Sequence, residues 1–202
     1  MPAAIIRQLL IYESELKNVN PQLRLPIMDL ALPSLRQMSA RQYAKFQEII
    51  QILVEADAKL SLFEFALQEI ITHRLGAIFE RHKKEVVYKN IGLLALDAVN
   101  ILSKLAHVGH TQEAAARAAF NSGWAKLHIR DARWDLLPDT KVTFRALRIA
   151  MKRFSLATPG IKKTILDACA HCVLHDKKVT ANEAELLRAV AYSFDIPLPP
   201  FI

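Results

Sequence analysis

Apolar residues recur at helical spacing along almost the whole chain, and no segment shows the strict alternation of a half-buried strand. Ser39 and Ser61 each stand directly before such a periodic segment, where a hydroxyl can cap the first turn of a helix. The pattern predicts nine helices, which with their caps have these approximate bounds: Ala3–Lys17, Ile27–Met38, Ser39–Ala56, Ser61–Arg81, Asn90–Ala106, Thr111–Leu127, Lys141–Phe154, Gly160–His175 and Ala181–Phe194.

The predicted fold class is an all-α helical domain. The chain has only 5 glycines in 202 residues, and its many Ala, Leu, Lys, Arg and Glu residues favour helix. Gly109 is predicted to end the central apolar helix, and Thr111 to cap the next one. We expect one compact body made of an N-terminal half (1–82), connecting helices (83–139) and a second unit with a proline-rich tail (140–202).

Two stretches, VEADAKLSLFEFAL and VLHDKKVTANEAEL, align without a gap at an offset of 119 residues. The same offset places the cap Ser39 on Thr158 and the core residue Phe46 on Ile165. A fixed offset with matching caps and core positions predicts two related helix–turn–helix units, although a solenoid needs about three or more repeats. The paired polar residues are Asp57 with Asp176, Ser61 with Thr180, and Glu64 with Glu183.

Both copies fit the capping box, in which a Ser or Thr and a Glu three residues later satisfy each other's backbone N–H groups. Ser61 with Glu64 and Thr180 with Glu183 are therefore predicted to be structural caps.

The acidic residues of the two turns leave a second interpretation open. Asp57 and Asp176 can close the turns by accepting from backbone amides, as Asp commonly does. An EF-hand is excluded because Lys59 and Lys178 interrupt the turns and the obligatory glycine is missing. The alternative is a divalent metal held by four acids: Asp57, Glu64, Asp176 and Glu183.

The chain is basic, with a formal net charge of +7. Such a charge suits anionic lipid, acidic proteins or nucleic acid, or serves only solubility. No aromatic residues alternate with the basic ones and no recognition helix is evident, which argues against nucleic acid. A basic surface that could face an anionic membrane is predicted from six residues near one helix junction: Arg145, Arg148, Lys152, Arg153, Lys162 and Lys163.

The only two cysteines, Cys169 and Cys172, lie three apart within one predicted helix, which is poor geometry for a disulfide. The repeat places them at core positions, so we interpret them as buried apolar residues rather than as zinc ligands with His175. No signal peptide is expected, because Met1-Pro2 leads into an amphipathic pattern without a cleavage site. No membrane span is expected either, because Asp97 and other polar residues interrupt the most apolar run.

The stretch HDKKVTANEAELLRAVAYSFDIPLPP resembles the end of a TerB-like helical domain, although Lys177 stands where that family usually has glycine. The stretch LRLPIMDLALPSLRQMSARQYAKFQEIIQILVEADAKLSLFEFAL, with the PLPP ending, resembles the C-terminal region of bacterial membrane-anchored HtpX-like zinc metallopeptidases. The likeness covers roughly residues 23–75 and 140–202.

The resemblance implies a non-catalytic part of such a protein. The zinc chemistry of that family needs His-Glu-x-x-His, which this chain lacks, and no nucleophile–base pair is evident. We therefore predict no enzyme activity, no cofactor and no small-molecule substrate for this chain. The first hypothesis is a regulatory or interaction domain on the cytoplasmic side of the inner membrane, binding a protein partner or its own catalytic domain. The alternative is a stand-alone TerB-like stress protein that binds a divalent metal.

Overall fold

The computed structural model describes residues 3–56, 60–79, 85–129 and 134–196. They belong to two compact units, Met1–Gln37 and Met38–Ile202. The described residues form nine α-helices and no strand, with one isolated parallel bridge between Tyr88 and Ala157. The all-α fold class is therefore confirmed.

The first unit consists of α1 (Ala3–Lys17) and α2 (Pro21–Leu35). The predicted bounds of the second helix, Ile27–Met38, are wrong, because that helix begins six residues earlier and ends at Leu35. Pro21 suits a first helical turn because its φ is already helical and its missing N–H would have had no partner there. The other two prolines of α2, Pro26 and Pro33, lie in its interior.

The described residues of the second unit form seven α-helices. Their bounds are α3 (Ala40–Ala56), α4 (Leu62–Phe79), α5 (Ala95–Gly109), α6 (Glu113–Trp124), α7 (Phe144–Ser155), α8 (Pro159–Val173) and α9 (Ala181–Ser193). Three short 3-10 helices cover Ile91–Leu94, Ala125–Leu127 and Asp139–Lys141.

Helix α5 lies at the centre of the second unit and packs against α6, α7, α8 and α9. Its core side chains, which include Ile101, Leu102 and Leu105, have no exposed surface. The run Ile91–Gly109 is also long and apolar enough to cross a membrane, by length and composition alone. A core helix has the same composition, and 56% of the most apolar window is buried inside the fold.

The helix pairs α3–α4 and α8–α9 begin at equivalent positions of the sequence alignment. Ala40 and Pro159 begin the first helix of each pair, and Leu62 and Ala181 the second, so both starts are 119 residues apart. Helix α4 packs extensively on α9. The division of the chain into residues 1–82, 83–139 and 140–202 stays a prediction.

The junction between α5 and α6 differs from the sequence prediction. Gly109 is the last residue of α5 and has no positive φ, and the cap is His110, whose N–H donates to the Ala106 carbonyl at 3.1 Å. Thr111 does not cap α6 either, since the N-cap is Gln112, which makes no side-chain cap bond. Gly109 is therefore not needed for a left-handed C-cap, and its presence requires another explanation.

Candidate functional site

The turn before α9 is a capping box. The Thr180 hydroxyl accepts from the Glu183 N–H at 3.2 Å, and Glu183 Oε2 accepts from the Thr180 N–H at 2.9 Å. The Thr180 hydroxyl also donates to Oε2 at 2.8 Å. Glu183 is only 2% exposed, so this carboxylate is part of the packed interior.

The second oxygen of Glu183 lies against the end of α5. A Cβ on Gly109 would clash with Oε1 and stand 2.6 Å from Cδ of Glu183. The sequence position of Gly109 is thus explained by the close approach of this carboxylate, which any side chain would obstruct.

The turn before α4 has the same bonds as its counterpart. The Ser61 N–H donates to Glu64 Oε2 at 2.8 Å, and the Glu64 N–H donates to the Ser61 hydroxyl at 3.2 Å. Here Glu64 is exposed. A third box, which sequence reasoning identified only as a Ser cap, joins Ser39 and Gln42 at 2.8 and 3.3 Å. Its signal was the Gln three residues after the Ser.

The acidic residues proposed as metal ligands are not assembled into one cluster. Asp57 lies outside the described residues. Asp176 Oδ1 accepts from the Lys178 N–H at 2.9 Å, which closes the turn beside Lys177 at φ 63°. Among the described residues, no group of three or more His, Cys, Asp or Glu side chains is placed to hold a metal ion.

The structure divides the six predicted basic residues into two kinds. Arg148 Nε lies 2.6 Å from Glu69 Oε1, and its Nη2 donates to Gln68 at 2.7 Å. Burial raises the pKa of Glu69 above its ordinary value. The hydrogen bond from Arg148 and its positive charge lower this pKa, but by less than burial raises it. Arg148 thus serves as counter-ion to a buried acid.

Arg153 has a similar role for the buried Asp97, whose Oδ2 lies 2.8 Å from Nη1. Burial raises the pKa of Asp97, and Arg153 offsets part of that rise. The same guanidinium donates to the Tyr88 hydroxyl at 3.0 Å and to the Leu93 carbonyl at 3.4 Å. The hydrogen bond to Tyr88 is the main reason that the pKa of Arg153 is raised.

The remaining basic residues reach solvent to different degrees. The Lys162 side chain is only 14% exposed, with Nζ 3.9 Å from Asp195. By contrast, Arg145, Lys152 and Lys163 are exposed. The uncompensated positive charge of the predicted basic surface is therefore concentrated in three of its six residues.

Exposed apolar side chains lie on the elements that Arg153 joins. Leu93 is 64% exposed, Leu96 is 52% exposed, and Ile149, one turn before Arg153 on α7, is 51% exposed. Helices α5 and α7 pack against each other, which brings these side chains to neighbouring elements. We define the α5–α7 surface as Leu93, Leu96, Arg145, Ile149, Lys152 and Arg153.

Sequence reasoning missed the three apolar members of this surface. Leu93 and Leu96 belong to the most apolar run of the chain, a composition that indicates a buried helix and not an exposed patch. The available signal was the position of Ile149, which lies between Arg145 and Lys152 on the polar side of an otherwise strongly amphipathic helix.

The two thiols are buried in α8. Burial raises the pKa of Cys169 well above its ordinary value and that of Cys172 to about 12. Thiols in this state are poor nucleophiles and poor metal ligands because both roles require the thiolate. The closest hydrogen-bonding contact of Cys172 is its sulfur with the Leu102 carbonyl at 3.7 Å.

A groove of about 330 Å³ lies beside the α5–α6 junction. Its charged side chains already form ion pairs, with each other or with neighbouring residues. Arg117 pairs with Glu113 and Asp135, and His107 Nε2 lies 2.7 Å from the Leu137 carbonyl. Its lining residues are His107, Thr111, Glu113, Arg117, Leu136, Leu137, Pro138 and Asp139.

Comparisons of the chain with protein-family models, curated proteins and solved structures find no match. The functional interpretation accordingly depends on the residues themselves. Among the features described above, the α5–α7 surface combines exposed apolar side chains with exposed cations.

Proposed function

We propose that this chain is a non-catalytic interaction domain belonging to a membrane-anchored, HtpX-like zinc metallopeptidase, built from two TerB-like helical units. The resemblance of residues 23–75 and 140–202 to that region supports the attachment. The equal spacing of the helix starts and the two matching capping boxes support a common origin of the helix pairs α3–α4 and α8–α9. In this proposal, hydrolysis belongs to another part of the parent protein.

The observation that carries an interaction role is the exposure of Leu93, Leu96 and Ile149 around Arg153. Single exposed aliphatic residues are common, but a contiguous apolar patch with a polar rim is typical of a binding surface. Leu96 and Ile149 lie on the packed helices α5 and α7, and Leu93 lies on the 3-10 helix that contacts both, so the fold holds the shape of the patch in the absence of a partner.

The proposed site of action is the cytoplasmic face of the inner membrane. The partner is then the catalytic domain of the same polypeptide or a protein presented to it. The three exposed cations Arg145, Lys152 and Lys163 are fewer than tight binding to anionic lipid requires, so they would at most bias the orientation of the domain beside the membrane.

The coding sequence upstream of the codon for Met1 tests the attachment. We expect the same reading frame to encode membrane helices and a His-Glu-x-x-His motif. An in-frame stop codon preceding Met1, with neither feature between them, would remove the metallopeptidase from the proposal.

The alternative function is a stand-alone TerB-like protein that binds a divalent metal through the acidic turns. One observation favours it, namely that Asp176 and Glu64 are exposed at equivalent turns of the two helix pairs. Binding through Glu183 would have to compete with its capping bonds to Thr180. A thermal-shift titration with Mg²⁺, Ca²⁺, Mn²⁺ and Zn²⁺ tests this function, and an unchanged midpoint at millimolar metal would reject it.

A further inference from the structure

We propose that the α5–α7 surface is a docking site for an acidic amphipathic helix of a protein partner. This inference rests on the proposed interaction function and specifies where the partner binds and what chemistry it carries. The partner would place aliphatic side chains on Leu93, Leu96 and Ile149, and carboxylates beside the flanking cations.

Arg153 makes the centre of this surface rigid. Its guanidinium is held by the Asp97 carboxylate, the Tyr88 hydroxyl and the Leu93 carbonyl. These contacts tie α7 to α5 and to the segment before α5. A partner therefore meets an apolar patch that is already organised, which lowers the entropy cost of binding.

The charge of the surface indicates an acidic partner. Arg145 and Lys152 lie four residues before and three residues after Ile149, so all three share one face of α7. Within the described part of the chain, neither the Arg145 guanidinium nor the Lys152 ammonium has a hydrogen bond, ion pair or ring contact. The nearby acid Asp97 is buried and paired with Arg153, so it does not compensate them.

A helix suits the geometry of the apolar residues. Leu93, on the 3-10 helix that leads into α5, and Leu96, in the first turn of α5, are three residues apart, and Ile149 lies on α7. An amphipathic helix lying along two packed helices presents side chains at i, i+3 or i+4, and i+7. Acidic residues beside those positions would reach Arg145 and Lys152.

Anionic lipid is a weaker match for the same surface. Recognition of an anionic bilayer by a basic cluster takes roughly four to eight Lys or Arg residues. Of the six basic residues near this junction, Arg148 and Arg153 neutralise buried acids, and Lys162 lies largely buried near Asp195. Three exposed cations remain, and this number suits a localised contact with a protein better than binding to an anionic bilayer surface.

Fluorescence anisotropy with the purified chain tests this proposal. The probe is a fluorescein-labelled amphipathic peptide with Leu at helical spacing and Glu on both flanks, and the comparison peptides carry Gln or Lys at the Glu positions. We expect the Glu peptide to bind at least about tenfold more tightly than the Gln peptide, and its affinity to fall with added salt.

Variants of the chain localise the contact. Arg145→Glu with Lys152→Glu should weaken binding of the Glu peptide at least about tenfold, whereas Lys126→Glu with Lys178→Glu changes net charge equally and should leave it unchanged. Leu96→Ser with Ile149→Ser should weaken it similarly, with Leu174→Ser as the control for another exposed leucine. Unchanged circular dichroism and thermal midpoints verify that the variants fold.

Three outcomes would overturn the inference: a Lys peptide that binds as tightly as the Glu peptide, equal binding by the surface and control variants, or no peptide binding. Vesicles with about 30% phosphatidylserine form a further arm. If vesicles but not the peptide bind through Arg145 and Lys152, the surface recognises lipid and the proposal is wrong. Failure of the peptide test with an upstream metallopeptidase frame present would reject this surface while leaving the proposed function standing.

Discussion

The Glu183 carboxylate approaches Gly109 so closely that a Cβ on Gly109 would clash with one of its oxygens. The other oxygen completes the capping box of α9 with Thr180. One buried side chain therefore fixes both the start of α9 and the position of the end of α5. This contact explains a glycine that the sequence alone suggests is a helix terminator.

Replacing Gly109 with Ala should destabilise the protein, even though Ala is the better helix former. The helix propensity gain is at most about 1 kcal/mol. The added methyl group would displace a buried carboxylate and break the cap, and we expect a net loss of about 1–3 kcal/mol in the free energy of unfolding. Urea denaturation at constant pH measures the loss.

The same substitution should have the opposite sign when Glu183 is absent. In a Glu183→Ala background the clash disappears, so Gly109→Ala should be neutral or stabilising by up to about 1 kcal/mol. If Gly109→Ala costs the same in both backgrounds, the contact with Glu183 is not the reason for the glycine.

Gly123 provides a second test of close packing, between α6 and α8. A Cβ there would lie 2.6 Å from the Ala168 carbonyl and 3.0 Å from Cys172 Cβ. Because the nearest atom belongs to the backbone, Gly123→Ala should cost about 1–3 kcal/mol. Gly160→Ala is the matched control, since nothing lies within 4 Å of its Cβ position, and we expect no loss or a gain below about 1 kcal/mol. Equal effects at the two positions in equilibrium unfolding would contradict this interpretation.

The sequence predicts local features of this fold well because helix starts are encoded by neighbouring residues. Ser61 with Glu64 and Thr180 with Glu183 are each only three residues apart, so their boxes are visible in the chain. The predicted start of α2 at Ile27 is six residues too late, because Pro21 already begins the helix.

Long-range relationships were not predictable from local pattern. Arg148 and Glu69 are 79 residues apart, and Arg153 and Asp97 are 56 apart, so no periodicity shows that they pair. Consequently, the six basic residues look equivalent in sequence, although packing neutralises two of them and leaves three exposed. The α5–α7 surface could not be predicted from local pattern either, because the exposure of Leu93 and Leu96 depends on which helices pack around them.

The Arg148–Glu69 pair should make stability depend on pH in a defined direction. Because the pKa of Glu69 in the folded protein lies above the ordinary value of 4.5, its stabilising contribution is complete below that pH. It is lost as pH rises through the folded pKa. Arg148→Gln removes the influence that lowers this pKa, so the stability deficit of the variant should be small near pH 4 and grow toward pH 7.

Urea denaturation of wild type and variant at several pH values measures that deficit. Arg145→Gln, on the same helix but exposed, should show a deficit that does not change with pH. A pH-independent deficit for Arg148→Gln would mean that Arg148 contributes by packing and not as a counter-ion.

The buried thiols should report global unfolding. At pH 8 very little Cys172 is ionised, because burial raises its pKa to about 12, and the thiolate is the form that attacks a disulfide reagent. We therefore expect both cysteines to react with Ellman's reagent only at the rate at which the native protein unfolds, and quickly in concentrated guanidinium. Leu174→Cys, which places a thiol on an exposed position near the end of α8, should react at once under native conditions. Native Cys172 reacting as fast as the introduced thiol would show that this end of α8 opens without global unfolding.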